Sequence, residues 1–328
     1  MSINHIAFST RKPSKKRCGD ASFSAEMEVS GENIVLLIVA DGVSKAPKDW
    51  LASESVVDFV TEEIQKSKKS LPDALAEAIE VANRRIWLGV EDTFGMLTTL
   101  SLVLYHPEKE KLYWCNIGDS RIFGLKLTDW IQLSTDDSTS TPYKENGKLK
   151  LQNGAPVMLS VLTRAIGSDD ELKVNIQEVP SNEYIAIALA SDGFYELSGF
   201  NSYATSLASS ADMEKEAQQI QSRINSEIQD DASFAVLRLP GNLNLDLRKY
   251  LTENKGSTNI PTGVLDVLEK EIRQSIIAKD DEYLKMLLDF MSTTDLYYSK
   301  PKMIEILELM IAHKSQLVQN MTLLIRKI

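Results

Sequence analysis

The sequence predicts an α+β protein in which sheets and helices gather into separate layers. Strand-like apolar runs come in clusters, and the helical stretches between them come in pairs. A regular strand–helix alternation, the mark of a parallel sheet, is not what this order resembles. Beyond Pro261 the pattern changes again, to helix alone.

The opening "MSINHIAFSTRK" has no apolar signal core and reads as a first strand. "NIVLLIVA" (33–40) is a short β-rich run of the kind that fills a buried strand. In "DWLASESVVDFVTEEIQKSKK", Leu51, Val56, Phe59, Val60 and Ile64 share one helical face. A second helix begins near Pro72 and turns Leu75, Ala78, Ile79, Ala82 and Ile86 inward. "TTLSLVLY", "KLYWCNIG", "SRIFGLKL" and "WIQLS" follow as strands. The stretch 134–154 is rich in Ser, Thr, Asp, Asn and Gly and is expected to be an exposed loop. "KVNIQEV" and "YIAIALA" supply further strands, helical spacing returns to about Ile228, and "SFAVLRL" closes the series.

"LPGNLNLD" and "NKGSTNIPTG" then break the pattern. The expected organisation is a larger α+β domain over 1–240, a linker over 241–261 and a helical subdomain over 262–328. Leu265, Leu268, Ile272 and Ile276 form one apolar stripe of that subdomain, and Ile304, Leu307 and Ile311 another. Such stripes suit packing against the first domain, an outside partner or a second copy, in a regulatory or targeting role. No internal repeat of useful length is present.

Composition narrows the function. No apolar run reaches the roughly 18 residues of a membrane span. Cys18 and Cys115 form no disulfide framework or CxxC pair, so a reducing cytoplasm is expected. His5, His106 and His313 are too scattered to suggest zinc. The net charge of −11 disfavours nucleic acid as a partner. From Gly241 onward basic and acidic residues balance, so the acidic excess belongs to the earlier part. One basic cluster interrupts it, made of Arg11, Lys12, Lys15, Lys16 and Arg17.

The acidic residues are placed repetitively. "CNIGDSRIFG" sets Asp119 between two apolar runs; "LLIVADGVS" ends a strand in Asp41-Gly42, and "AIALASDGFYE" ends another in Asp192-Gly193, with Glu196 beyond. "QDDASFAVL" puts Asp230 and Asp231 before the last strand, and "KKRCGDAS" brings Asp20 after the basic cluster. Each alone is an ordinary turn. Together they are carboxylates at nearly every strand end, which turns do not require. Clustered carboxylates repel unless positive charge intervenes. Hard divalent cations such as Mg2+ and Mn2+ supply it and take oxygen ligands. Glycine after the aspartate lets a backbone carbonyl come close.

"VADGVS", "LTTL", "NIGDSR", "LTRAIG", "SDGFYE" and "DDAS" resemble, in order and spacing, the motifs of the metal-dependent type 2C protein serine/threonine phosphatases. The resemblance spans about residues 3–240, and its motifs are specific as a set. It implies a four-layer αββα sandwich, two antiparallel sheets flanked by helices. It also implies two core Mn2+ or Mg2+ ions, a weaker third, and hydrolysis of phosphoserine or phosphothreonine in proteins by metal-activated water. Carried over by motif, Asp41 would bridge the core ions, Gly42 would offer its carbonyl, and Asp192 and Asp230 would complete the first site. Asp20 would hold the second ion through water. Asp119, with Glu196 in place of a frequent Asp, would form the third site beside Asp192. Asp231 would stand behind the ligands.

Departures from the family pattern are concentrated around these motifs. Cys18 and Gly19 precede Asp20, Leu97 replaces the usual Gly of "GTT", and Val43 stands where many eukaryotic members carry His. The family's "DHS" appears as Asp136-Asp137-Ser138. The place of the phosphate-binding arginine holds Lys15, with Arg17 and Arg11 nearby; lysine neutralises phosphate but lacks the bidentate fork. A bacterial-type enzyme acting on phosphoproteins, such as a cognate kinase's targets, is the reading these residues favour. A non-catalytic partner-binding module and an enzyme on a small phosphorylated substrate are the alternatives. Neither cysteine sits in a Gly-rich Cys-x5-Arg loop, so thiol chemistry is not expected.

Overall fold

The computed structural model describes residues 4–89, 94–126, 129–145, 148–152, 155–156, 158–210 and 212–239, together with 268 and 285–287. The chain divides into two compact units. One holds Met1–Leu125, Trp130–Ser181 and Ala186–Leu239; the other holds Lys126–Asp129, Asn182–Ile185 and Pro240–Ile328. The linker expected at 241–261 and the helices expected at 262–328 lie outside the described residues, save for 268 and 285–287, which are helical.

In chain order the first unit begins with β1 (Asn4–Thr10), β2 (Asp20–Val29) and β3 (Glu32–Asp41), then α1 (Asp49–Lys66) and α2 (Leu71–Trp87). β4 (Leu100–His106), β5 (Lys111–Ile117), β6 (Arg121–Lys126) and β7 (Asp129–Gln132) follow. Next come β8 (Ser138–Pro142), the two-residue strands β9 (Lys144–Glu145), β10 (Lys148–Leu149), β11 (Leu151–Gln152) and β12 (Ala155–Pro156), and β13 (Met158–Leu162). β14 (Gln177–Pro180), β15 (Ala186–Ala190), α3 (Asp192–Tyr195), α4 (Phe200–Ser209), α5 (Met213–Ile224) and β16 (Ala232–Arg238) complete it.

Two five-stranded sheets result, ordered β14-β5-β4-β3-β2 and β1-β16-β15-β6-β7. The paired strands within both are antiparallel. β3 shows why they stack. Ile34, Leu36, Ile38 and Ala40 join the α1 and α2 faces in one core, packed around Phe59, Ile64, Leu75 and Ile79. Val35, Leu37 and Val39, equally buried, therefore point to the opposite face and the other sheet. A strand buried on both sides reads as a continuous apolar run, as 33–40 does. On the second sheet, α3 and α4 close over an aromatic cluster in which Phe194 stacks on Phe234 at 4.4 Å and Phe123 meets Phe200 at 4.7 Å. The layers are helix, sheet, sheet, helix, as the resemblance implies.

Two expectations are corrected. The stretch 134–154 is not simply a loop: β8 pairs with β13 from Ser138↔Leu162 to Pro142↔Met158, and the short strands lie within this ribbon. Its strand residues are largely exposed on both faces, so the apolar alternation that marks a half-buried strand is absent. "KVNIQEV" is strand only at its end, as β14 begins at Gln177. Conversely, β2 is an edge strand that no apolar run announced.

Candidate metal centre

Asp41 is the last residue of β3, and the two-residue period fixes its direction. Ile34 through Ala40 at even positions face the helices, so Asp41 faces between the sheets. Its partner across the ladder is Asp20, the first residue of β2. The Asp41 backbone is clamped by "LTTL". Its N–H donates to Thr99 Oγ1 at 2.9 Å, and its carbonyl accepts from Thr98 Oγ1 at 2.9 Å and Thr99 N at 2.8 Å. Gly42 donates to the Gly19 carbonyl at 3.0 Å, and a Cβ there would lie 2.0 Å from the Asp49 carbonyl oxygen. Only glycine fits this junction.

Asp192 follows β15 as the first residue of α3, and accepts from Gly193 N at 2.6 Å. A Cβ on Gly193 would lie 1.9 Å from the Asp231 carbonyl oxygen, so this Asp-Gly also serves close packing against the start of β16. Ser191 Oγ donates to Asp20 Oδ2 at 2.7 Å while accepting from Ser233 N at 2.9 Å, tying one sheet's carboxylate to the other sheet. The charges of Asp20 and Asp192 both bear on Asp41.

The electrostatics follow from this convergence. Burial, with repulsion from Asp231 and Asp192, pushes the Asp20 carboxyl up to about 7. Burial and the charges of Asp20, Asp192, Asp119 and Asp230 hold Asp41 well above the ordinary carboxylate range. Asp192 and Asp119 are raised too, chiefly by burial. Four carboxyl groups that resist ionisation in one place make a centre short of positive charge.

Asp230 and Asp231 part company. Asp230 is half exposed and keeps its carboxylate toward Lys15, at 3.5 Å. Asp231 is 2% exposed and accepts from Lys12 N at 2.6 Å, Gly19 N at 2.6 Å and Lys15 Nζ at 2.8 Å. It fixes the basic loop that leads into β2. Lys15 also reaches Asp49 Oδ2 at 3.2 Å. Partial burial works against its charge, but the Asp231 bond, with Asp230 and Asp49, more than offsets this and holds the ammonium above its ordinary pKa. Arg17 is exposed and stacks over Trp50 at 3.9 Å, while Arg11 donates to the Lys15 carbonyl. Asp49 was not among the candidate residues. Its only sequence signal was an acid at a helix start, which the helix dipole already explains.

Asp119 lies in the turn between β5 and β6, with Ser160 Oγ of β13 at 3.5 Å and Tyr195 Oη donating to its carbonyl at 3.1 Å. The turn is braced on both sides of Asp119: Asp137 accepts from Gly118 N at 3.2 Å, and Asp136 is bidentate on Arg121 at 2.7–3.1 Å. Glu196 stands exposed at the end of α3, where its N–H donates to the Asp192 carbonyl at 3.0 Å. No hydrogen bond among the described residues joins its carboxylate to Asp119 or Asp192.

The donor set is all oxygen and suits a hard cation. Among the described residues no three His, Cys, Asp or Glu side chains already stand in a ligating group. The sequence matches the family model described as Protein phosphatase 2C over residues 11–235. The chain belongs to the protein phosphatase 2C family.

No curated protein matches the chain. Solved phosphatase structures resemble this phosphatase 2C fold at low identity. Serine/threonine phosphatase Stp1 from Staphylococcus aureus is 18% identical, with 73% of this chain and 95% of that one covered and a TM-score of 0.58. The S. agalactiae serine/threonine phosphatase is 19% identical over 73% and 100%, at 0.57. The catalytic domain of the serine threonine protein phosphatase PstP, solved in complex with 2 manganese ions, is 19% identical over 72% and 97%, at 0.53. In this phosphatase 2C chain burial pushes the thiols up, Cys18 to about 12 and Cys115 to about 11. Both are free and poorly suited to act as nucleophiles. No helix among the described residues is long and apolar enough to cross a membrane.

Proposed function

We propose that the chain is a metal-dependent protein serine/threonine phosphatase whose centre is built on Asp20, Asp41, Gly42, Asp192 and Asp230. The observation that carries this reading is Asp20 opposite Asp41 across the β2–β3 ladder, with Ser191, the neighbour of Asp192, bonded to Asp20 from the other sheet. The family and the manganese held by PstP support Mn2+ or Mg2+ as the cation. Such ions supply positive charge at a phosphoryl group and lower the pKa of water. Thr98, Thr99 and Gly193 orient Asp41 and Asp192 as core ligands. Asp119 belongs to the outer, weaker site, and Glu196 would have to swing in to join it. Lys15 and Arg17 neutralise the phosphate, with Lys15 the better placed.

The substrate class is a phosphoprotein. The two free thiols support a reducing cytoplasm as its setting. The subdomain expected from the sequence over 262–328 is proposed to be helical and to serve regulation, targeting or self-association. Turnover of a phosphothreonine peptide by the full chain tests the activity, with Mn2+, with EDTA, and in Asp192→Ala. Turnover should require Mn2+ and be abolished in the variant, while circular dichroism of the variant stays native. Wild-type rates in Asp192→Ala would overturn the metal assignment.

A further inference from the structure

A cavity of about 380 Å3 opens between the turn after Gly42 and strand β13. Its lining carries the aliphatic side chains of Val43, Leu97, Leu162 and Ala165 together with four Ser and Thr residues. Two cations, Lys45 and Arg164, stand among the lining residues. Arg164 is tied to Asp137 at 3.1 Å.

The cavity borders the metal centre on two sides. Ser44, on its lining, meets Lys15 Nζ at 3.4 Å, and Ser160, also on its lining, meets Asp119 at 3.5 Å. Val43 donates to the Leu97 carbonyl at 2.9 Å, so the turn and the "LTTL" segment form one rigid wall. Val43 is two residues beyond Asp41, no more than about 7 Å of chain. A peptide residue spans about 3.3–3.6 Å when extended. A phosphoryl group held at the carboxylates therefore brings a neighbouring residue of its own chain over this cavity. Leu97 makes the wall apolar where the family pattern has glycine.

We propose that this cavity binds the side chain next to the phosphorylated Ser or Thr and selects an aliphatic one. This rests on the phosphatase reading above. The aliphatic side chains of the lining give a Leu or Ile side chain apolar contacts that it lacks in solvent. A lysine there would meet Lys45 and find no carboxylate on the lining, since the nearby Asp137 is already paired with Arg164.

The test uses the full chain with Mn2+ and phosphothreonine peptides that differ only in carrying Leu, Gly or Lys at each adjoining position. At one position Leu should exceed Lys in kcat/KM by about tenfold or more, as a filled hydrophobic pocket provides. That ratio should collapse toward one in Leu162→Ser, whose side chain is only partly buried, and in Leu97→Ser. Each ratio compares two peptides on one enzyme, so loss of overall rate in a variant does not affect it. A flat Leu, Gly and Lys profile, with p-nitrophenyl phosphate still hydrolysed, would overturn the pocket assignment alone. A wild-type preference that survives in both variants would overturn it as well. Absence of Mn2+-dependent turnover on every substrate would instead overturn the phosphatase reading, and the pocket with it.

Discussion

Asp20 and Asp41 face each other across the β2–β3 ladder, on the side that looks into the space between the sheets. Two acids opposite one another normally destabilise a strand pair. Here Asp20 is buried and Asp41 partly so, and Thr98, Thr99 and Ser191 hold the pair in place. The arrangement is unfavourable for the ionised protein alone and favourable once a cation joins it.

The metal-free protein should therefore lose stability as pH rises. Burial raises the Asp20 carboxyl from an ordinary 3.8 to about 7, and Asp41 is raised as well. A group raised in the folded state holds its proton longer there than in the unfolded chain. Its stabilising contribution is complete below about pH 4 and is lost as pH climbs through about 7. Melts in EDTA should show Tm falling between pH 5 and pH 8. Mn2+ at about 100 times its Kd should add about 2.7 kcal/mol for each independent site. A metal-free Tm that rises over this range would contradict the assignment.

Asp231 should matter to stability more than its exposed neighbour does. It accepts from two backbone N–H groups and from Lys15, and Asp231→Ala strands all three donors. The loss should be about 3 kcal/mol, the cost of breaking a buried, hydrogen-bonded charge pair from one side. Asp230→Ala should cost far less stability yet weaken Mn2+ binding. Urea titration and calorimetry on the two variants separate these roles.

How much of this was legible depended on which residues had a second explanation. β3 announced itself because burial on both faces demands an unbroken apolar run. β2 did not, because Ser22, Ser24, Glu26 and Glu28 alternate along an edge strand that is mostly half exposed. The β8–β13 ribbon is wet on both sides and so carries no burial pattern. At the site, Asp20, Asp41, Asp119, Asp192 and Asp230 stood out by ending or beginning strands. Asp49 escaped notice at a helix start, and the fate of Lys15 depended on contacts with Asp49 and Asp231 that sequence spacing does not encode.

Asp119→Ala should separate the outer site from the core. Its carboxylate touches Ser160, while Asp20, Asp41 and Asp192 are anchored elsewhere. Calorimetry should show the tightest Mn2+ binding retained, with phosphopeptide turnover down by about 10- to 100-fold. Glu196→Ala, exposed and less fixed, should have a smaller effect. Loss of the tightest ion in Asp119→Ala would place Asp119 in the core instead.

Lys15 should act on phosphate rather than on the metals. Its ammonium is shared by Asp231, Asp49 and Asp230 at 2.8, 3.2 and 3.5 Å. A metal that takes Asp230 removes the longest of these partners and leaves the ammonium beside the incoming phosphoryl group. A hydrogen bond to a charged group contributes about 1.5–3 kcal/mol, so Lys15→Met should raise KM for a phosphothreonine peptide by about tenfold or more. Mn2+ affinity should hold. Lys15→Arg should restore most of the KM effect, because its fork can keep Asp231 while presenting a second N–H to phosphate. A fall in kcat at unchanged KM, with weakened Mn2+ binding, would show instead that Lys15 acts through Asp231 on the ligands.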